Sequence, residues 1–121
     1  MNKRPLSITI IGWICIVFGS IALIAGVLPS GQITAAQRIV ELQTHWYVHV
    51  SRMVMILSGV LILYGLNWGR WLLVLWLVFH VIVGALHGPL RVLTHALLFL
   101  VGVFFLFRRE ASAYFRGDKA V

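Results

Sequence analysis

The sequence predicts an all-α integral membrane protein with four transmembrane helices in an up-down bundle. Three observations predict it. Of 121 residues, 61% are hydrophobic and only 11% charged, outside the range of a soluble domain. The apolar residues fall into four stretches, about 6–28, 47–68, 71–88 and 90–107, each near the ~20 residues a helix needs to cross a bilayer. Within them the apolar residues are continuous and do not alternate with period two, which excludes β-barrel spans. The chain reads as one transmembrane domain, 1–121, with an outer loop at 29–46 and a tail at 108–121.

The first span follows Lys3 and Arg4, as a secretory signal would. Its apolar run is longer than an h-region of about 7–15 residues and three spans follow it, so it is expected to stay as helix one. Gly12, Cys15, Gly19, Ala22 and Gly26 recur at intervals of 3, 4, 3 and 4. One seam of this helix therefore carries only small residues, and such seams let a neighbouring helix approach closely in lipid. The seam is expected to face another span of the same chain, with a homo-oligomer or a second membrane protein as the alternative. Cys15 is the single cysteine, so no internal disulfide forms.

The outer loop has helical character over "TAAQRIVELQTHW", where Thr34 and Gln37 make a capping box. Ile39, Leu42 and Trp46 then share a face, which predicts a short interfacial helix or an outward extension of helix two. Spans three and four are joined at Gly88-Pro89. The tail mixes Arg108, Arg109, Arg116 and Lys119 with Tyr114 and Phe115. It is expected either to lie on anionic lipid or to serve as a plain stop-transfer flank.

Charge sets the orientation. Lys3, Arg4, Arg70, Arg108, Arg109, Arg116 and Lys119 fall on one side and Arg38, Arg52 and Arg91 on the other, seven against three. The positive-inside rule then puts both termini and the "NWGR" turn in the cytoplasm, with Trp46, Trp68 and Trp71 at the membrane boundaries. The net charge of +7 is dispersed between spans, a distribution that fits membrane orientation and gives no nucleic-acid partner.

The polar residues inside the spans gather toward the outer leaflet. His80 and His87 lie on span three and Arg91 and His95 on span four. His80, nine residues before Pro89, and His95, six after it, reach similar depths. His45, His49 and Arg52 stand at the entrance to span two. Intramembrane polar residues are costly and point to a site. No carboxylate accompanies them: Glu41 is in the loop, and Glu110 and Asp118 are in the tail. That removes a carboxylate-driven antiporter, a carboxylate-pair hydrolase and a Ser-His-Asp relay.

Three ligand classes suit the remaining donors. His80, His87 and His95 can hold haem, copper or zinc, with Met53 and Met55 as further copper ligands. His49, Arg52 and Arg91 with the histidines can hold a quinone or an anionic lipid. The plainer account has each histidine bonding Ser51, Ser58, Thr94 or a carbonyl on a neighbouring helix, worth about 0.6 kcal/mol apiece.

The stretches "KRPLSITIIGWICIVFG", "LYGLNWGRWLLVLWLVFHVIVGALH" and "HALLFLVGVFFLFRREASAYFR" resemble a group of short bacterial integral membrane proteins with four spans and no assigned activity. The resemblance covers most of the chain apart from the outer loop and implies an inner-membrane location and no catalytic residues. The resulting expectation is a small accessory or assembly subunit without catalysis, using the glycine seam and the outer polar cluster as contact surfaces among membrane lipids and protein partners. The alternative is a histidine-based binding protein.

Overall fold

A computed structural model describes residues 3–28, 31 and 34–117. Six helices form, and no strand occurs among the described residues. Four of them are long and apolar enough to cross a membrane: α1 (Leu6–Val27), α3 (Trp46–Leu63), α4 (Asn67–His87) and α5 (Pro89–Phe107). The chain is a multi-pass membrane protein. α2 (Ala35–Thr44) precedes α3, and α6 (Arg109–Arg116) follows α5.

α1 packs against α3, α3 against α4, and α4 against α5, while α5 returns to touch α1 only sparsely. The start of α1 and the end of α5 with α6 thus lie on one face of the bundle, the terminal face. α2 and the Gly88-Pro89 turn lie on the other, the loop face.

The small-residue seam is the contact of α1 with α3. Gly12, Cys15 and Gly19 are buried, and Gly59 of α3 faces them. A methyl group on Gly59 would sit 2.7 Å from the Gly12 carbonyl oxygen and 2.9 Å from Cβ of Cys15. Backbone meets backbone here, and in lipid this dispersion contact is what holds helices together. The expected internal seam is therefore the one that forms.

α3 ends earlier than the apolar run suggests. The Leu66 amide donates to Leu61 O and the Gly65 amide to Ile62 O, both at 3.0 Å, with Gly65 at φ +74°. This is a Schellman motif, which needs a left-handed residue just past the helix. The second span, expected at 47–68, is Trp46–Leu63, and the third, expected at 71–88, is Asn67–His87. "NWGR" is thus the first turn of α4, and the reversal lies at Tyr64–Leu66.

α4 and α5 reverse across Gly88 alone, at φ +121°, with Pro89 at the first position of α5, where a missing amide hydrogen costs nothing. α5 turns His95, Phe99, Gly102 and Leu106 inward. It sets Leu90, Leu93, Leu97, Leu100, Val101 and Phe104 outward, all exposed.

Both short helices are tied down. The capping box of α2 forms as predicted: Thr34 Oγ1 accepts from the Gln37 amide at 3.3 Å, and Gln37 Oε1 accepts from the Thr34 amide at 2.9 Å. α2 runs into α3 with a single break at His45 (φ −111°). Of its expected apolar face, Leu42 is half-buried, whereas Ile39 and Trp46 stay exposed. The tail is neither a plain flank nor an arm free of the bundle. α6 buries Ala111 and Phe115, and its Tyr114 hydroxyl donates to Leu63 O at 3.1 Å, a carbonyl left open at the end of α3. Lys119 lies outside the described residues.

The substitution Gly59→Ala is expected to destabilise the protein by about 1–3 kcal/mol, because the new methyl meets backbone that cannot yield. Gly102→Ala meets only the flexible end of Leu77, 3.0 Å away, and is expected to change stability by less than half as much. Unfolding midpoints of the two variants in mild detergent check the comparison.

Candidate functional site

The loop-face end of α1 and α3 builds a cavity of about 250 Å³ lined by Gly26, Glu41, Leu42, His45, Val48, His49 and Arg52. Its construction follows from the seam. Because α1 and α3 run close together, the last seam residue, Gly26, lies directly under the Arg52 guanidinium, and the His49 ring comes to 3.1 Å of where a Cβ on Gly26 would stand. Any side chain at position 26 would fill the floor of the cavity.

Arg38 does not line the cavity but fixes two residues that do, Gly26 and Glu41. Its Nη2 donates to Gly26 O at 2.9 Å and to Leu28 O at 2.8 Å, two carbonyls at the C-terminal end of α1. Its Nη1 reaches Glu41 Oε2 at 3.2 Å. The cation sits where the helix dipole favours positive charge, and α2 is latched onto α1. Glu41 is thereby partly neutralised. Arg52 has no hydrogen bond and no ion pair among the described residues, and Nδ1 of His49 is buried without a partner. The cavity thus holds one uncompensated cation and one imidazole with an unused buried nitrogen.

The second polar group spans three helices. Trp76 of α4 donates its indole N–H to Ser51 of α3, at 2.8 Å to the carbonyl and 2.9 Å to the hydroxyl. The indole stacks on His80, with ring centroids 3.9 Å apart, and His80 stands 5.9 Å from His95 of α5. The depth match expected from counting outward from Pro89 is what the structure shows. His87 and Arg91 flank the turn and are exposed.

Comparison of the chain with protein-family models, curated proteins and solved structures gave no match. Its chemistry has to be read from these side chains.

The histidines bond differently from the plain expectation. Nδ1 of His45, His80, His87 and His95 lies 3.2, 2.9, 2.7 and 2.6 Å from the carbonyl oxygen four residues earlier in the chain. A carbonyl only accepts, so each Nδ1 carries a proton, and in the neutral form of such a ring the lone pair is on Nε2. These bonds stay on one chain segment and link no helices. The hydroxyls named as partners are engaged elsewhere: Ser58 donates to Val54 O, Thr94 to Leu90 O, and Ser51 takes the Trp76 indole. Trp76 and Ser51, which the sequence does not mark as a pair, make the interhelical bond.

Of the candidate metal ligands, His80 and His95 come together and His87 does not join them. Among the described residues no three His, Cys, Asp or Glu side chains converge on one point, whereas protein zinc sites use three or four ligands. Met53 is exposed and Met55 packs against the buried core. What sequence reasoning missed is the Arg38 latch on Gly26 O and Glu41 and the cavity floor made by Gly26. The only sequence signal for it was the end of the small-residue seam.

Trp76→Phe removes the indole donor and is expected to cost about 1 kcal/mol, within the range for interhelical bonds in membranes. Ser51→Ala keeps the carbonyl acceptor and is expected to cost less than half of that. Equilibrium unfolding of both variants in detergent distinguishes them, and equal losses would mean that the hydroxyl is the acceptor that matters.

Proposed function

We propose that this protein is a small integral membrane subunit without catalysis of its own, and that it seats the acidic headgroup of a membrane lipid in the loop-face cavity. The observation that carries the reading is Arg52. It is a half-buried guanidinium with no counter-ion among the described residues, set over Gly26 in the cavity, whereas the neighbouring Arg38 is already committed to carbonyls and to Glu41. Guanidinium groups bind phosphate-type oxygens with short charge-assisted bonds. With Glu41 paired to Arg38, the positive charge of Arg52 is the one left for a ligand, which suits a phosphodiester.

The resemblance to short bacterial four-span proteins suggests an inner membrane, and the charge count of seven against three suggests cytoplasmic ends. In that orientation the cavity opens to the outer leaflet. The glycine seam and the Trp76–Ser51 bond then keep the lipid seat rigid. The His80–His95 pair supports a second reading, in which two Nε2 lone pairs bind a soft metal ion with ligands from elsewhere.

Native mass spectrometry of the protein in mild detergent, titrated with a phosphatidylglycerol, tests the lipid seat. Arg52→Gln is expected to weaken binding about tenfold, the loss of one charge-assisted bond, and Gly26→Val to weaken it by at least as much by filling the floor. Unchanged binding in both variants would reject the seat. A copper or zinc adduct lost in His80→Ala and His95→Ala would favour the second reading.

A further inference from the structure

On the terminal face, the first turn of α4 holds a second cation that the loop-face cavity does not involve. Arg70 lies in a box of aromatic rings drawn from three helices. Its guanidinium carbon is 4.7 Å from the centroid of Phe107 on α5, 5.4 Å from Phe115 on α6 and 5.9 Å from Trp71 on α4. Its Nε and Nη1 are buried and have no hydrogen-bond partner. Rings attract a cation through their quadrupoles, but they offer no oxygen to its N–H groups.

The remaining nitrogen, Nη2, is neither buried without a partner nor bonded to a described residue, so it faces out of the box. Among the described residues no carboxylate pairs with the charge. Glu110, the acidic residue of α6, is exposed and forms no ion pair among the described residues. Instead Arg116 lies within electrostatic reach, and Arg108 and Arg109 are exposed nearby in sequence at the start of α6. A guanidinium charge is delocalised, so one anion at Nη2 offsets the charge of the covered nitrogens as well.

The depth of the group narrows the ligand. Trp68 and Trp71 bracket Arg70 at the end of a span and are exposed, the position at which tryptophans meet headgroups. α6 docks against the same end through Ala111 and Phe115.

We propose that Arg70, boxed by Trp71, Phe107 and Phe115, is the anchor of a phosphate-binding site on the terminal face, completed by the phosphate of a lipid or of a soluble anion. α6 builds the site, because Phe115 supplies one wall. Docking of the tail and binding of phosphate are therefore coupled: each favours the other by the same factor.

The test is made in the Arg52→Gln background, so that the loop-face cavity does not contribute. Native mass spectrometry of the detergent-extracted full chain is run with a phosphatidylglycerol in one arm and inorganic phosphate in the other. Adding Arg70→Gln is expected to weaken phosphatidylglycerol binding at least tenfold, and Phe115→Leu severalfold, whereas Arg109→Gln changes it less than twofold. Arg70→Lys keeps the charge but loses the planar group between the rings, and an intermediate loss is expected. It also serves as the readout if Arg70→Gln fails to fold.

Binding of inorganic phosphate as tight as that of the lipid, and lost in the same variants, would uphold the site and make the anion a soluble one. Lipid-only binding would make it a headgroup. Binding unchanged in both Arg70 variants would overturn the proposal and leave Arg70 as a packing cation.

Discussion

The approach of α1 to α3 is the constraint from which the rest of the molecule is built. A membrane offers helices no hydrophobic reward for meeting, because lipid tails are as apolar as the side chains they would replace. What draws α1 in is the absence of side chains at Gly12, Gly19 and Gly59, which lets carbonyl and Cα atoms touch. The same approach carries Gly26 beneath Arg52 and brings the end of α1 within reach of Arg38. The loop-face cavity is therefore a by-product of helix packing. A wider crossing would abolish it without changing any residue in its walls.

Polar groups in the spans are handled in two ways. Where a donor can find a carbonyl on its own helix it does so, as four of the histidines do, along with Ser58 and Thr94. Such bonds lower the cost of placing the residue in lipid but constrain no neighbour. Where a donor reaches across, it links helices, and Trp76 to Ser51 is the clear case. Arg52 and Arg70 belong to neither group. Each is a cation without an ion pair among the described residues, one at each end of the bundle.

Much of this was legible in the sequence. Four continuous apolar runs gave the spans, the spacing of small residues gave the α1 seam, Thr34 and Gln37 gave the capping box, and counting outward from Pro89 paired His80 with His95. The misplaced end of α3 has a local cause. Tyr64 and Leu66 flank Gly65 with residues as suited to a span as to a turn, so composition hid the Schellman motif. The Arg38 latch and the Arg70 box were hidden for another reason. The partners that define them, Gly26 for Arg38 and Phe107 and Phe115 for Arg70, come from other helices and lie 12 or more residues away, so no short window along the chain contains them. Histidine bonding was hidden too, since it depends on which nitrogen turns back along the helix.

The uneven packing of the four spans makes the sequence uneven in how much it specifies. At the seam of α1 and the facing glycine of α3, residue size is dictated to within a methyl group. On α5 the outward row from Leu90 to Phe104 is largely exposed, and hydrocarbon does not distinguish one branched side chain from another. Drift along such outward rows can therefore exchange apolar residues freely at constant fold, while the seam of α1 admits almost none. The information that defines this protein is concentrated in the helix with the fewest side-chain atoms along its seam.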